Sequence, residues 1–450
     1  MRTIDRSICG EIYSADEVFM NYKELCLRFR GRFSGSADAQ GAAAFIAEKL
    51  SSYGLSQVQL EKFPMTVWTR GNVHLEMLTP VRRVFPCLAL PYAPSCDQEF
   101  ELYDAGMGLP EDVLAAGSEI AGRAVLVDDI NPSGKRPLHR LQKYVPLQKA
   151  GAGAFLFVRD GDGMLAPTGS LAFNHDGPPD QALPSVGLPR EVGLELREWS
   201  KRGPVTLKLV MDNTLVQGED ANVTGELKGP AGDGQLIIIG GHYDGHDIAH
   251  GAGDNASGTV AVMEMARALS PLQHRLRGTL RFVLFGSEEM GMVGSHAHVR
   301  ACGQDLSRLR FVFNLDCVGS PGPVFLMLHH STELMPWFTA AVASMAADID
   351  LTERVLPFSD HFPFYLRGVP CAFIGTRGGS GRGWGHTIAD TVDKVTREPL
   401  QRSSAHLARL VIRADQQESW PGRRRSPEEI RQEIAPFAVH ELLEYEGHSF

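Results

Sequence analysis

Downstream of residue 212 the chain alternates short apolar runs with longer segments of helical period. QLIIIG, TLRFVLF, RFVFNL, PVFLML and PCAFIG predict sheet-core strands, and SGTVAVMEMARALS and TELMPWFTAAVASMAA read as the helices between them. Upstream the texture differs. Ser36 precedes a helical stripe of Ala44, Phe45, Ile46, Ala47 and Leu50, with Gly54 placed to end it, and SQVQLEKF and NVHLEML then alternate like strands. From about residue 96 the pattern becomes a buried strand (GRAVLVDD), helix, turn and strand (LQKYVPLQKAGAGAFLFV), and strand, turn and helix (LPSVGLPREVGLELREW), which reads as a separate module. Near the end, Ser426, Pro427 and Glu429 occupy capping-box positions, and Pro436 is expected to interrupt the helix they start. This gives 1–95 as the first part of a main domain, 96–212 as an insertion, 213–416 as the rest of the main domain and 417–450 as a helical extension. The extension is read as covering a sheet edge or a partner subunit in a homo-oligomer.

At 450 residues, with 43% hydrophobic and 22% charged side chains, the chain can bury a sizeable core. Its net charge of −10 argues against nonspecific binding to nucleic acid or an anionic membrane surface. No apolar run approaches the roughly 20 residues that cross a bilayer, and acidic residues stand near the N-terminus where a signal peptide would be apolar, so a cytoplasmic protein is expected. Seven scattered cysteines without a CxxC pair indicate neither a disulfide framework nor a cysteine zinc site. GxSxG, the P-loop pattern and HExxH are absent.

Candidate chemistry collects where the predicted strands stop. QLIIIG leads into His242 and Asp244, TLRFVLF into Glu288 and Glu289, and RFVFNL into Asp316. In open α/β sheets the C-terminal strand edge is where ligands bind. Asp254, in GAGDNASG ahead of a helix, and His386, after a glycine-rich loop, could join them. Imidazole and carboxylate donors without thiolates suit zinc, and also cobalt or manganese, and two such ions sharing a carboxylate sit ~3.5–4 Å apart in hydrolytic sites. If Asp254 bridges, each ion needs one histidine and one further carboxylate, and His242, Asp316, Glu289 and His386 supply that number. Glu288 is left over as a general base, and Asp244 can orient His242.

At these residues the sequence resembles the M28 family of dizinc exopeptidases, in the form that carries an inserted protease-associated domain. The resemblance spans about residues 20–415. It rests on HYD (242–244), GAGDNASG (251–258), FGSEEMG (285–291), NLD (314–316), SDHFPF (359–364) and GHTIADTVDKV (385–395). It implies that His242 and Asp316 bind one zinc, Glu289 and His386 the other and Asp254 both, with Glu288 as base and a cis peptide between Asp254 and Asn255. One position departs from the pattern: several family members have an oxyanion-stabilising tyrosine directly before the second histidine ligand, where this chain has Gly385. Tyr365, Trp384 and Arg377 are candidate replacements. Arg377 and Arg382 flank the glycine-rich loop and could grip a substrate carboxylate. His246 and His250 are read as making loop hydrogen bonds, and Asp360 and His361 as structural or pocket residues.

The expected fold is therefore an α/β class, three-layer α/β/α sandwich with a mixed, mainly parallel sheet, plus the insertion. The expected function is two-metal hydrolysis of a terminal peptide bond in a peptide or peptide-like substrate, by an aminopeptidase first. A carboxypeptidase or dipeptidase comes next, then a glutaminyl cyclase, and most distantly a binding protein without catalysis.

Overall fold

The computed structural model describes residues 1–450 apart from 132, 134–137, 173–177, 179, 231–233, 379–383, 438, 440–441 and 444–450. Its strands are β1 (Ser56–Thr69), β2 (Val73–Thr79), β3 (Arg83–Phe85), β4 (Leu88–Ala89), β5 (Cys96–Asp104), β6 (Ala124–Asp128), β7 (Ala154–Val158) and β8 (Ser185–Leu188). They continue with β9 (Thr206–Met211), β10 (Thr214–Lys228), β11 (Leu236–His242), β12 (Thr279–Phe285), β13 (Leu309–Leu315), β14 (Val324–Leu328), β15 (Ile349–Glu353) and β16 (Cys371–Thr376).

Two eight-stranded sheets result. The first has the order β1-β10-β12-β11-β13-β16-β14-β15. Its centre, from β12 through β11 and β13 to β16, is parallel, while β1, β10 and β12 pair antiparallel, as do β14 and β16. The second, β3-β2-β9-β5-β6-β7-β8-β4, lies wholly between β1 and β10 in the chain. This sheet takes in strands before residue 96 as well as those of 96–212: β2 pairs with β9 and β4 with β8, partners more than 90 residues away that local patterning does not reveal.

The wholly apolar strands are buried on both faces, as central parallel strands must be. Ile237 and Ile239 share a core with the helices Arg2–Tyr13, Glu17–Arg28, Ala37–Ser52, Ser257–Leu269 and Arg397–Gln416. Leu236 and Ile238, pointing the other way, share a core with Val293–Ala301, Phe362–Tyr365, Pro427–Ile434 and the second sheet. The helix Pro427–Ile434 has the reciprocal Ser426–Glu429 cap and stops two residues before Pro436. No described helix is long and apolar enough to cross a membrane.

Register places the functional loops. His242 stands opposite Phe285 and Gly240 opposite Asn314, so the three central strands end level, and the residues that follow meet above one edge of the sheet.

Candidate metal centre

His242 ends β11 and is buried. Its Nε2 lies 3.3 Å from Asp254 Oδ1 and 3.8 Å from Asp316 Oδ1. On the far side of the ring, Nδ1 faces Asp244, 3.2 Å from its carbonyl oxygen and 3.4 Å from Oδ1. The same Asp244 carboxylate accepts the backbone N–H groups of Glu288 and Glu289, each at 3.1 Å, and the Ser34 hydroxyl at 3.2 Å. Asp244 therefore fixes both the imidazole and the turn that carries the two glutamates.

Asp254 sits in an irregular turn before the helix Ser257–Leu269, and its peptide bond to Asn255 is cis. Gly253 and Asp254 donate their N–H groups to Asp390, at 2.8 and 3.1 Å. Asn255 ties this turn to β13, donating to the Leu315 carbonyl and accepting from the Cys317 N–H. Asp316 follows β13 and accepts the Ser359 hydroxyl at 2.8 Å, which gives the SDHFPF segment a role in orienting that carboxylate. Asp360 and His361 are buried beside it and lie in neither donor cluster.

His386 Nε2 lies 3.3 Å from Asp254 Oδ2 and 3.2 Å from Glu289 Oε2. Its Nδ1 faces the Thr168 carbonyl at 3.3 Å, and its own carbonyl accepts the Thr168 N–H at 2.8 Å. The inserted unit thus holds this histidine by its backbone.

Two donor clusters emerge, His242 with Asp254 and Asp316, and His246 with Glu289 and His386, the donor atoms within each lying within 4.8 Å of one another. Donors bound tetrahedrally to one zinc at 2.0–2.1 Å are ~3.3 Å apart, close to the separations of His242 and His386 from Asp254. Asp254 presents one oxygen to each cluster. The buried atoms His242 Nε2, Glu289 Oε1 and both ring nitrogens of His246 have no hydrogen-bond partner, as expected where cations are the intended partners. The electrostatics agree. Against the loss of hydration, carboxylates raise the buried His242 well above its ordinary pKa and push the half-buried His386 up to about 9. Asp254, half-buried between them, is held far below the carboxylate range by those two imidazoles in spite of its desolvation. A site that draws protons this strongly is suited to hold divalent cations.

Glu288 belongs to neither cluster. It lines a cavity of about 180 Å³ together with Asp254, Glu289, Asp316, His386, Met292 and Phe358. Burial raises its carboxyl well above the ordinary value; His242 opposes the shift, and Glu289, Asp360 and Asp316 add to it.

Other sequence candidates lie elsewhere. Tyr365 is buried and its hydroxyl donates to Glu433, so it is no oxyanion donor here. Arg377 donates to Asp350 at 2.7 Å and covers the Phe325 ring, at the β14–β15 side of the sheet. Trp384 is 38% exposed with the Lys394 ammonium 5.1 Å above its ring, and is not among the cavity residues. Arg382 falls outside the described residues. The inserted unit contributes instead, through His139, Arg140, Leu141, Ser170 and Ala172. The Arg140 guanidinium donates to the Ser170 carbonyl at 2.7 and 3.1 Å, and His139 stacks on Phe358 with ring centres 4.0 Å apart. Nothing in the spacing of KRPLHRLQ signals that approach.

Residues 222–411 match the model of peptidase family M28. The M28 segment contains every residue of both clusters and Glu288. Beyond it, the chain is 26% identical to aminopeptidase YwaD of Bacillus subtilis over 91% of this chain and 87% of that protein. It is 27% identical to the probable leucine aminopeptidase 2 of Aspergillus oryzae over 58% of this chain and 53% of the relative. The fold matches an aminopeptidase from an Aneurinibacillus strain (TM-score 0.72, 25% identity, covering 94% of this chain and 98% of that one). It also matches an M28 peptidase precursor from Shewanella amazonensis (TM-score 0.80, 20% identity, 94% and 98%). A zinc aminopeptidase from Bacillus subtilis shares the fold (TM-score 0.68, 22% identity, 90% and 95%). These long alignments take in the insertion as well as the M28 segment.

Proposed function

We propose that this chain is a metal-dependent aminopeptidase, with two divalent cations, zinc first, held by His242 and Asp316 on one side, by Glu289 and His386 on the other, and by Asp254 between them. The observation that carries the reading is the shared Asp254, one oxygen turned to each cluster, with Glu288 left unengaged in the adjoining cavity. The names of the relatives, aminopeptidases and a zinc aminopeptidase among them, support the same activity and metal.

Bound ions would supply Lewis acidity to the scissile carbonyl and to the attacking water. Glu288 takes the proton of that water as the water attacks the carbonyl carbon, then passes it to the amine nitrogen as the C–N bond breaks. Its raised proton affinity suits a group that must hold the proton between the two steps. Asp244 keeps His242 Nδ1 occupied and the Glu288–Glu289 backbone in place, and Asp390 does the same for the Asp254 turn. Arg140, with His139 and Ser170, gives the cavity wall a cation contributed by the inserted unit, which we read as a protease-associated domain.

The test pairs metal content per chain with release of amino acid from free and N-acetylated peptides before and after chelation. Two ions and chelator-sensitive cleavage confined to free N-termini are expected. Cleavage of acetylated peptides would move the reading to a carboxypeptidase, and absence of both metal and cleavage would end it.

A further inference from the structure

The resemblance to the family accounts for five ligands, but a sixth donor lies inside the second cluster. His246 follows His242 by four residues, in the segment between β11 and the Asp254 turn. It is only 4% exposed. Its Nε2 is 3.0 Å from Glu289 Oε2, its ring meets the His386 ring edge-on with centres 4.6 Å apart, and Phe33 covers it at 6.0 Å. Neither ring nitrogen has a hydrogen-bond partner. His250, read from sequence in the same way, does have one: its Nδ1 accepts the Val392 N–H at 3.0 Å.

The segment holding His246 is fixed on both sides. Asp247 is gripped by Arg70, at 2.7 and 2.9 Å, and the backbone of 246–247 packs so closely on Gly31 that a Cβ there would come within 2.9 Å of the His246 carbonyl oxygen. Arg32 binds the Tyr243, His250 and Gly251 carbonyls. A buried imidazole, anchored at its backbone, with no hydrogen bond at Nδ1 and with Nε2 turned to the Glu289 carboxylate outside hydrogen-bond geometry, is placed to share a cation with that carboxylate.

We propose that His246 is a third side-chain ligand of the cation held by Glu289 and His386, so that the two halves of the centre differ in donor set. This rests on the two-metal reading above. One half then has a single imidazole with Asp254 and Asp316, and the other two imidazoles with Asp254 and Glu289. The nitrogen-richer half binds the tighter ion and prefers Zn²⁺ or Co²⁺ to Mn²⁺ more strongly than its neighbour does. Loading is therefore sequential, with the His246 side filled first.

The full chain labelled with ¹⁵N-histidine, stripped and loaded with ¹¹³Cd²⁺, tests this without any substitution. Scalar coupling to cadmium is expected at three imidazoles, those of His242, His246 and His386. Coupling at His242 and His386 alone overturns the proposal and leaves the two-metal reading standing; coupling at none overturns both. His246→Gln adds a second measurement: Zn²⁺ competition against a chromophoric chelator should show one of the two affinities falling at least ~10-fold and the other unchanged. Unfolding of the metal-free proteins serves as the control for folding. Unaltered affinities at both halves in a folded variant also overturn the proposal.

Discussion

Asp244 has no place among the donors, yet it touches three parts of the site: the His242 ring, the Glu288 and Glu289 amides, and Ser34. Asp244→Asn puts an N–H₂ where one carboxylate oxygen now accepts a backbone N–H, so two donors face each other in a buried space. Zinc affinity should fall ~10–100-fold, because loss of an outer partner loosens the ligand it orients; competition titration reads it directly. Glu288→Gln is expected to behave oppositely. Metal content stays normal while kcat falls by ~10²–10⁴, the range for loss of a general base; a variant with full turnover removes Glu288 from the mechanism. These carboxylates were legible in the sequence because each follows a recognisable strand. The roles of Asp390 and Ser359 were not, although both stand in motifs that carry the resemblance, nor was that of Arg140 at the start of the helix Arg140–Lys149, since each meets the site through contacts with segments far along the chain.

Elements were legible where burial is uniform. The apolar strands β11, β12, β13 and β16 announce themselves, whereas the double burial of β10 does not, because the polar residues that alternate along Asp220–Leu227, namely Asp220, Asn222, Thr224 and Glu226, read as a solvent face and are buried. Those polar groups are satisfied across the sheet: Asp220 by Ser287 and Gly35, Asn222 by Gly286 and Gly294, Glu226 by Arg281. Sequence pattern cannot supply partners found 60 residues away. Arg32 is the same kind of device between elements. Fully buried, it joins the end of the helix Glu17–Arg28 to the metal-side loop through the carbonyls of Leu25, Phe29, Tyr243, His250 and Gly251. Arg32→Met would keep the volume and orphan those carbonyls. A loss of about 3 kcal/mol in unfolding free energy is expected, together with weaker zinc binding; denaturant unfolding and metal titration check the two parts separately.

On the scale of the whole molecule, the inserted unit holds His386 through Thr168, and the Arg70–Asp247 pair, with Arg70 also reaching the Thr168 hydroxyl at 3.3 Å, links it to the His246 segment. A charge pair outside both donor clusters sets part of the molecule's response to pH. His298, on Val293–Ala301, has its Nδ1 2.6 Å from Glu61 Oε2 on β1, beneath Phe285 and Phe364. Burial works against a charged ring, but Cys302 and Glu61 overcome it and raise the pKa to about 9. Burial likewise opposes the charge on Glu61, whose pKa is nevertheless lowered by His298, so it stays ionised throughout the window that matters. The folded chain therefore holds a proton that the unfolded chain releases near the ordinary histidine value. The stabilisation is complete below about pH 6.5 and disappears as pH rises through about 9. Its size is on the order of 3 kcal/mol. His242 and His386 titrate in the metal-free protein too, so the informative quantity is the difference between wild type and His298→Gln. That difference should be largest at pH 6 and shrink by pH 9.5 in urea unfolding; a difference independent of pH would mean that His298 is neutral in the folded state and contributes by packing alone.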